Sequence, residues 1–192
     1  MRPQTIRILG GELRRRTIDV PAGLDVRPTS ARAREALFNR LSHGGFGQDG
    51  GNILAGARVA DLCCGTGALA FEALSRGAES AVLVDQDRRV LNLARRNAEA
   101  LGISEACSFV NVALPAGIPS GPFDLVFSDP PYSLGLDEPI AVGLLSKDAL
   151  SADGILCIET PSKRQASVPP GFALLDLRQY GAAQLMLLRA EK

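Results

Sequence analysis

The chain has 192 residues and a mass of 20.2 kDa, which is the size of one ordinary domain. Apolar residues make up 46% and charged residues 22%, so a sizeable core is available and a long disordered or collagen-like chain is excluded. Because no apolar run reaches about 18 residues and no signal peptide opens the chain, we expect a cytoplasmic protein without a membrane span.

The net charge is zero, yet the charges are unevenly divided along the chain. Residues 1–40 hold nine arginines and four acidic residues, whereas residues 41–192 hold 12 basic and 17 acidic residues. A basic segment on a mildly acidic body favours a polyanionic partner such as nucleic acid, the alternative being a solvated surface with a chance skew. The four cysteines form no CxxC pair and His43 is the only histidine, so we expect no metal site.

The first elements form a small N-terminal extension. Short strands over residues 5–9 and 12–20, separated by two glycines, predict a hairpin. Extended chain before Pro28 then leads into a helix that is capped by Thr29 or Ser30 and ends near residue 41.

Strands alternate with helices from residue 58 onward, which predicts an α/β fold with a mostly parallel sheet and helices on both faces. Residues 172–178 and 183–189 instead predict an antiparallel hairpin at the edge of that sheet. We therefore divide the chain into a basic extension, residues 1–50, and a Rossmann-like domain, residues 51–192. The remaining predicted strands and helices are 58–62, 67–75, 81–84, 87–101, 107–110, 123–127, 137–149 and 155–159.

A glycine-containing loop follows the first strand of the predicted parallel sheet. It has the sequence Cys63-Cys64-Gly65-Thr66-Gly67 and enters a helix whose N-terminus offers free N–H groups. Asp85, 20 residues after Gly65, ends the second strand and is placed to bind ribose hydroxyls. This pattern predicts a nucleoside cofactor.

Asp61 discriminates between two such cofactors. The loop also satisfies the looser dinucleotide pattern, but a carboxylate at Asp61 would repel a pyrophosphate. S-adenosylmethionine presents an ammonium group instead, which Asp61 can attract, and this favours S-adenosylmethionine over NAD. A purely structural role, in which Asp61 binds the loop backbone, is the competing interpretation.

A second motif, Asp129-Pro130-Pro131-Tyr132, follows the strand at residues 123–127. Carboxyl ends of parallel strands meet at one edge, so this motif and the glycine loop should face the same crevice. Asp129 and the Pro130 carbonyl provide two acceptors for a planar amino group, and Tyr132 offers a ring on which a base can stack. The motif therefore favours methylation of an exocyclic amine over an ordinary proline turn.

These motifs make the chain similar to the bacterial RsmD-type 16S ribosomal RNA (guanine-N2)-methyltransferases. The resemblance covers almost the whole chain and is most specific in IRILGGELRRR, RPTSARAREALFNRL, DLCCGTGALAFEALSRGA and DPPY. It implies a class I S-adenosylmethionine fold with seven strands, a guanine in small-subunit RNA as substrate, and an RNA-facing N-terminal arm.

The resemblance implies roles for six residues: Asp61, Gly65 and Gly67 match the family's cofactor loop, Asp85 its ribose-binding acid, and Asp129 and Tyr132 its catalytic loop. We expect the catalytic residues to be Asp129, Pro130 and Tyr132, and the cofactor-binding residues to be Asp61, Cys63, Gly65, Gly67, Asp85 and Asn111. At Asn111 the chain departs from the pattern, because many methyltransferases place an acid there to bind the adenine amine. From the basic extension we expect Arg14, Arg15, Arg16, Arg32 and Arg34 to bind the substrate, with Arg34 also able to pair elsewhere.

The expected partner is 16S ribosomal RNA or a small-subunit ribosomal particle, and the chain is expected to be a monomer. Two alternatives stay open at this point. One is a DNA adenine-N6 methyltransferase, which would present the same amine to the same motif. The other is a noncatalytic RNA-binding ribosome-assembly protein that keeps a methyltransferase fold.

Overall fold

The structure is a computed structural model that describes residues 4–20, 30–47 and 50–191. The predicted extended segment at Pro28 and a cap at Thr29 lie outside the described residues. Ser30 does cap the following helix, because its hydroxyl accepts a hydrogen bond from the Ala33 amide at 3.2 Å. The elements are β1 (Gln4–Arg7), β2 (Thr17–Val20), α1 (Ala31–His43), β3 (Arg58–Leu62), α2 (Ala68–Ser75), β4 (Ser80–Asp85), α3 (Arg88–Leu101), β5 (Cys107–Asn111), β6 (Phe123–Ser128), α4 (Asp137–Ser146), β7 (Leu150–Pro161), β8 (Phe172–Tyr180) and β9 (Ala183–Ala190).

A seven-stranded sheet organises the chain in the order β5-β4-β3-β6-β7-β9-β8. The first five of these strands are parallel, whereas β9 runs antiparallel between β7 and the edge strand β8. The predicted Rossmann-like α/β fold with a terminal antiparallel hairpin is confirmed. No helix in the described part of the chain has the length and apolarity needed to cross a membrane.

The core fills both faces of the sheet. One apolar cluster packs α1, α2 and α3 against one face, with Phe38, Phe71 and Phe127 fully buried within it. The other packs Ile140 and Leu144 of α4 against the opposite face. Burial on both faces explains why the central strands are almost continuously apolar.

The N-terminal hairpin shares the first of these clusters, through Ile6, Ile8, Ile18 and Val20. Its strands are shorter than predicted, because the chain between them turns back on itself. The Arg15 amide donates to the Ile8 carbonyl at 2.9 Å, with Arg15 at a φ of 74°. The three consecutive arginines therefore stand in a tight turn instead of in the predicted second strand.

Gly11 lets this turn lie directly against α2. Its φ is +74°, and a Cβ added there would lie 1.6 Å from the Ser75 carbonyl oxygen. That oxygen accepts a hydrogen bond from the Glu12 amide at 2.8 Å, and the Ser75 hydroxyl accepts one from the Leu13 amide at 2.9 Å. Only glycine allows so close an approach.

Glu72 of α2 fixes the same turn through its side chain, which is fully buried. Its carboxylate accepts hydrogen bonds from the amides of Leu9 and Gly10, both at 2.9 Å. Arg76 donates to it at 3.0 Å, and the guanidinium of Arg34 lies 3.8 Å away. Buried carboxylates are stable only when charge and hydrogen bonds compensate them in this way.

Substitution of Glu72 should therefore destabilise the whole chain. Glu72→Gln keeps the shape but leaves the two arginines without their buried counter-charge, and we expect it to lower the free energy of unfolding by about 3 kcal/mol. Denaturant unfolding measures this, with the exposed Glu79→Gln as the matched control. Equal free energies of unfolding for the two variants would mean that the contacts of Glu72 contribute little to stability.

Candidate functional site

Three acidic residues stand at one edge of the sheet, because the strands that carry them are parallel and adjacent. Leu62 of β3 is paired with Val84 of β4 and Ser128 of β6, so all three strands end at the same level. Asp61, Asp85 and Asp129 lie within one residue of that level, as the sequence predicts. The carboxyl edge of such a sheet is where ligands bind.

The glycine loop makes a tight reversal between β3 and α2. Cys63, Gly65 and Gly67 all have positive φ values, of 64°, 54° and 82°. The Gly67 amide donates to the Cys64 carbonyl at 2.8 Å, and a Cβ at Gly67 would lie 2.5 Å from the Phe71 ring. Cys63 thus holds a strained conformation that non-glycine residues adopt mainly where the surroundings or the function require it.

Cys63 and Cys64 are not nucleophiles in this setting. Burial, followed by the nearby carboxylates of Asp85 and Asp61, raises the pKa of the Cys63 thiol to about 12. Burial likewise raises the pKa of Cys64 above its ordinary value. Both thiols are neutral at physiological pH, so Cys63 can contribute to a bound cofactor through its backbone and its shape.

Asp61 is almost completely buried, with an exposed fraction of 2%. One carboxylate oxygen accepts a hydrogen bond from the Ala70 amide in the first turn of α2, at 3.1 Å. Burial raises the pKa of this carboxyl to about 7, against the opposing effect of the Ala70 bond and with a further contribution from Asp85. The bond to the helix is the structural role that the sequence left open, and the second oxygen keeps lone pairs for a ligand.

Asp85 binds the loop and the start of α3 at once. Its two oxygens accept hydrogen bonds from the Gly65 amide at 3.2 Å and the Asp87 amide at 2.9 Å. Burial nevertheless raises the pKa of Asp85. Asn111 donates its side-chain amide to the Asp85 carbonyl at 2.9 Å, so that amide braces the strand end, and its predicted contact with adenine stays a prediction.

Asp129 is half-buried where β6 ends, and its own amide donates to the Leu62 carbonyl at 3.4 Å. Burial raises the pKa of this carboxyl well above its usual range, and the charges of Glu159, Asp61 and Asp137 raise it further. Pro130 is buried behind it. The side chain of Tyr132 lies outside the described part of the structure.

This concentration of carboxyl groups decides which ligand the edge can accept. Asp61, Asp85 and Asp129 each have a raised pKa, and each lacks a cationic side chain among the causes of its shift. A pyrophosphate would add negative charge, whereas the ammonium and sulfonium groups of S-adenosylmethionine would favour the ionised carboxylates. The residues at this edge therefore fit S-adenosylmethionine and disfavour a dinucleotide.

The predicted substrate arginines divide into two groups. Four are exposed: Arg14, Arg15, Arg16 and Arg32. Arg34 is only 2% exposed and donates to the Arg7 carbonyl at 2.8 Å while facing Glu72. The structure thus places Arg34 among the contacts that fix the N-terminal turn, and a contact between Arg34 and the substrate stays a prediction.

Sequence reasoning missed Asn97, which is 3% exposed on the apolar face of α3. Its amide nitrogen donates to the Thr66 carbonyl in the glycine loop at 3.2 Å and to the Asp19 carbonyl of β2 at 3.1 Å. Its oxygen accepts from the Asp19 amide at 2.9 Å. The sequence did contain a signal for Asn97, because it is a polar residue at a position that the periodicity of this amphipathic helix assigns to the buried face.

Comparison with known proteins shows the family to which the chain belongs. Residues 6–189 match the protein family described as Conserved hypothetical protein 95. The chain is 36% identical over 152 residues to ribosomal RNA small subunit methyltransferase D of Escherichia coli K12, covering 79% of this chain and 72% of that one. It is 29% identical over 189 residues to the protein of the same name from Haemophilus influenzae, covering 95% and 92%.

Solved structures give the same relationship. The chain superposes on Escherichia coli yhhF with a TM-score of 0.83 and 29% identity, covering 98% of this chain and 99% of that one. An RNA methyltransferase from Salinibacter ruber in complex with S-adenosyl-L-homocysteine shares the fold, with a TM-score of 0.64, 15% identity, and coverage of 86% and 95%. The family and the curated relatives make the chain an S-adenosylmethionine-dependent methyltransferase.

The buried carboxyl of Asp61 predicts a conflict between stability and binding. Its pKa is about 7 in the folded chain and about 4 in an unfolded one. The folding free energy linked to its proton is therefore complete below about pH 4 and is lost as the pH rises to about 7. The Asp61→Asn variant has no carboxyl to ionise and does not lose this stabilisation. Without cofactor at pH 8, it should therefore be more stable than the wild-type chain by roughly a few kcal/mol.

The same variant should bind S-adenosylmethionine at least about tenfold more weakly, because the charge that attracts the ammonium group is gone. Thermal unfolding at acid and alkaline pH tests the first effect, and titration calorimetry tests the second, with the exposed Asp153→Asn as control. A stability gain that did not grow with pH, or unchanged affinity, would contradict this assignment.

Proposed function

We propose that this chain, which belongs to the Conserved hypothetical protein 95 (RsmD) family, transfers a methyl group to the exocyclic N2 of a guanine in small-subunit (16S) ribosomal RNA. Methyl transfer to ribosomal RNA follows from the relatives, which are named as small-subunit methyltransferases. The guanine amine as acceptor is inferred from the site.

The position of Asp129 carries the proposal. Its carboxyl lies at the same sheet edge as the cofactor residues and interacts electrostatically with Asp61. The next residue, Pro130, is buried, and its backbone nitrogen carries no hydrogen to donate. The backbone carbonyl of Pro130 is the second acceptor. Two adjacent acceptors suit a planar –NH₂ group, which has two N–H bonds to donate.

The chemistry explains why both acceptors are needed. S-adenosylmethionine, when bound, supplies the methyl group on its sulfonium. The amine is a weak nucleophile because its lone pair is delocalised into the guanine ring. Hydrogen bonds from its two N–H groups to Asp129 and Pro130 favour a pyramidal nitrogen and return the lone pair to it. Asp129 then stabilises the positive charge that develops on this nitrogen.

The raised pKa of Asp129 belongs to this role. A half-buried carboxyl close to other acids ionises more readily beside a positive charge, and the methylated amine is such a charge. Asp129 thus interacts more strongly with the reacting state than with the neutral amine, which is what accelerates a reaction. Asp129 can take the released proton, directly or through water. Tyr132 is proposed to stack on the base.

We propose that the exposed arginines of the N-terminal extension, residues 1–50, hold the RNA backbone. Arg14, Arg15 and Arg16 project from the turn that Glu72 fixes, and Arg32 lies exposed at the start of α1. Arg16 also donates to the Ala100 carbonyl of α3 at 2.6 Å, which links the turn to that helix. The target base must leave its stack to reach Asp129, and backbone contacts offset that cost of a few kcal/mol.

The direct test is transfer of a tritiated methyl group to ribosomal RNA, to small-subunit particles from a strain lacking the gene, and to duplex DNA. Methylated guanine N2 in the RNA, mapped to one nucleotide, is the expected product. Methylated adenine in the DNA would support the adenine-N6 alternative, and no transfer despite cofactor binding would support a noncatalytic role. Monomeric state and cytoplasmic location stay predictions.

Asp129→Asn should lose most turnover while it retains its cofactor. The amide lacks the charge that stabilises the methylated amine, so we expect kcat to fall by about 10²–10³. Affinity for S-adenosyl-L-homocysteine should change little, because Asp61 and Asp85 hold the donor. Asp153→Asn controls for loss of an exposed acid. A parallel loss of cofactor affinity would show that Asp129 serves the donor instead of the acceptor.

Replacement of Arg14, Arg15 and Arg16 by alanine should weaken RNA binding and its dependence on salt. Each phosphate contact on single-stranded RNA contributes a slope of about −0.7, so three lost contacts flatten the slope by about 2. Binding isotherms at several salt concentrations measure this, with the exposed Arg178→Ala of β8 as control. An unchanged slope with full activity would make the turn a solvated surface only.

A further inference from the structure

The helix α3 carries a second concentration of positive charge, outside the N-terminal extension. Its 14 residues include four arginines and one glutamate, a net charge of +3, although residues 41–192 as a whole hold 12 basic and 17 acidic residues. None of the four is among the residues predicted to bind substrate. All four are exposed, and together they form what we call the α3 basic face: Arg88, Arg89, Arg95 and Arg96.

The arginines of α3 are placed against the local stability of the helix. Arg88 and Arg89 stand in its first turn, which holds no acidic residue, and its last turn holds no basic residue. The helix dipole favours the reverse arrangement, with anions near the N-terminus and cations near the C-terminus. The capping residue Asp87 compensates one of the two arginines, because its carboxylate pairs with Arg89 at 2.7 Å. Helix formation therefore does not explain this distribution of charge.

Two arginines of the α3 basic face have no counter-charge in the protein. Arg88 and Arg96 form no hydrogen bond or ion pair with any residue in the described part of the chain. Glu99 lies one turn after Arg96, but the two form no ion pair. Arg95 is held differently, with its guanidinium 5.0 Å from the centre of the Phe109 ring. Arg88 and Arg96 are therefore available to bind an anion from solution.

The α3 basic face adjoins the arginine turn of the extension. The Arg16 guanidinium donates to the Ala100 carbonyl of α3 at 2.6 Å. Arg96 precedes Ala100 by four residues, so it lies on the same side of the helix, one turn before the carbonyl that Arg16 binds. Asn97 joins the two elements again, because its side chain accepts from the Asp19 amide of β2 at 2.9 Å and donates to the Asp19 carbonyl at 3.1 Å. The turn and the helix thus present their arginines on one continuous surface.

The same face extends from the turn to the edge of the sheet that carries the proposed cofactor residues. β4 ends at Asp85, whose carboxylate accepts a hydrogen bond from the Asp87 amide at 2.9 Å, and α3 begins at Arg88. An α-helix rises 1.5 Å per residue, so Arg88 and Arg96 are about 12 Å apart along its axis. The arginines of α3 therefore lead from the extension to the site.

We infer that the α3 basic face binds the phosphate backbone of the RNA substrate, as a continuation of the contacts proposed for Arg14, Arg15 and Arg16. The inference rests on the proposed function, because it takes RNA to be the substrate. Phosphates supply the negative charges that Arg88 and Arg96 lack, and a guanidinium can donate two parallel N–H bonds to one phosphate. Phosphate contacts position a nucleic acid and carry no sequence information, so this face should set where the RNA lies and not which base is methylated.

A simpler role for these arginines is to keep the surface of α3 soluble. Solubility requires charged residues on the surface but no particular partner for them. It predicts that RNA binding depends on α3 no more than on any other two exposed arginines of the chain. A matched pair of arginines elsewhere on the surface therefore separates RNA binding from solubility.

The test measures binding of deproteinised 16S ribosomal RNA at several salt concentrations, with the double variant Arg88→Gln and Arg96→Gln. Glutamine is close to arginine in helix propensity, so the fold should be retained. Each phosphate contact on single-stranded RNA contributes a slope of about −0.7, so the salt dependence should flatten by about 1.4, and affinity in about 50 mM salt should fall at least about tenfold. The double variant Arg88→Lys and Arg96→Lys keeps both charges and should keep most of the wild-type slope.

The matched control removes two exposed arginines that lie away from α3, Arg58→Gln at the start of β3 and Arg178→Gln on the edge strand β8. This variant should keep the wild-type slope. Equal flattening by the control and by the α3 variant would assign the effect to net charge and overturn the inference. A wild-type slope in the α3 variant would overturn it directly, and so would a loss of affinity for S-adenosyl-L-homocysteine without a change in RNA binding.

Combination with the alanine variant of Arg14, Arg15 and Arg16 tests whether the turn and the helix bind one RNA. The loss of five contacts, each of about 0.7, should flatten the slope by about 3.5. A combined slope no flatter than that of the triple variant would overturn the inference. Methylation of ribosomal RNA by the wild type, together with an unchanged slope in the α3 variant, would overturn the inference and leave the proposed function standing. Absence of guanine methylation by the wild type would overturn the proposed function itself.

Discussion

The buried carboxylate of Glu72 is the constraint on which the arrangement of the site depends. It binds the turn of the N-terminal extension through the Leu9 and Gly10 amides, and α2, the helix that carries it, begins at the cofactor loop. The turn with the arginines proposed to hold RNA and the loop proposed to hold the cofactor are thus both joined to one short helix, α2. Asn97 makes a second connection between the same parts, from β2 to Thr66. Under the proposed function, these contacts set the position of the RNA-binding turn relative to the cofactor loop.

The acidic edge of the sheet has the opposite character, because burial outweighs the few backbone hydrogen bonds that its carboxyl groups accept. Glu72 faces two arginines, whereas burial and neighbouring acids raise the pKa values of Asp61, Asp85 and Asp129. In the folded chain, burial and neighbouring acids therefore disfavour the ionised form of each of these carboxyl groups. Functional residues that cost stability are common where a ligand supplies the missing charge. This contrast separates the carboxylate that builds the fold from the carboxylates that are proposed to serve the reaction.

Local patterns in the sequence were sufficient to predict the positions of those site residues that lie at strand ends. Asp61, Asp85 and Asp129 each follow an apolar strand, and parallel pairing alone brings them together. The turn at Gly11 and Arg15 shortened the predicted strand over residues 12–20, because its backbone bonds to α2 and Ile8 outweigh strand propensity. Arg34 faces Glu72, 38 residues away, and Asp137 pairs with Arg164, 27 residues away. No spacing rule in the sequence could predict these two pairs. Their roles follow from tertiary packing, which a sequence pattern does not encode.

The two halves of the site are coupled through charge. Asp61, on the proposed donor side, is among the groups that raise the pKa of Asp129, on the proposed acceptor side. A positive charge placed beside Asp61 offsets that effect, and the ionised form of Asp129 becomes easier to reach. Under the proposed function, a donor bound at Asp61 makes this ionisation easier only as a secondary effect, because burial and Glu159 contribute more to the shift in the pKa of Asp129. Because this coupling acts through space across two adjacent strand ends, it needs no movement of the sheet.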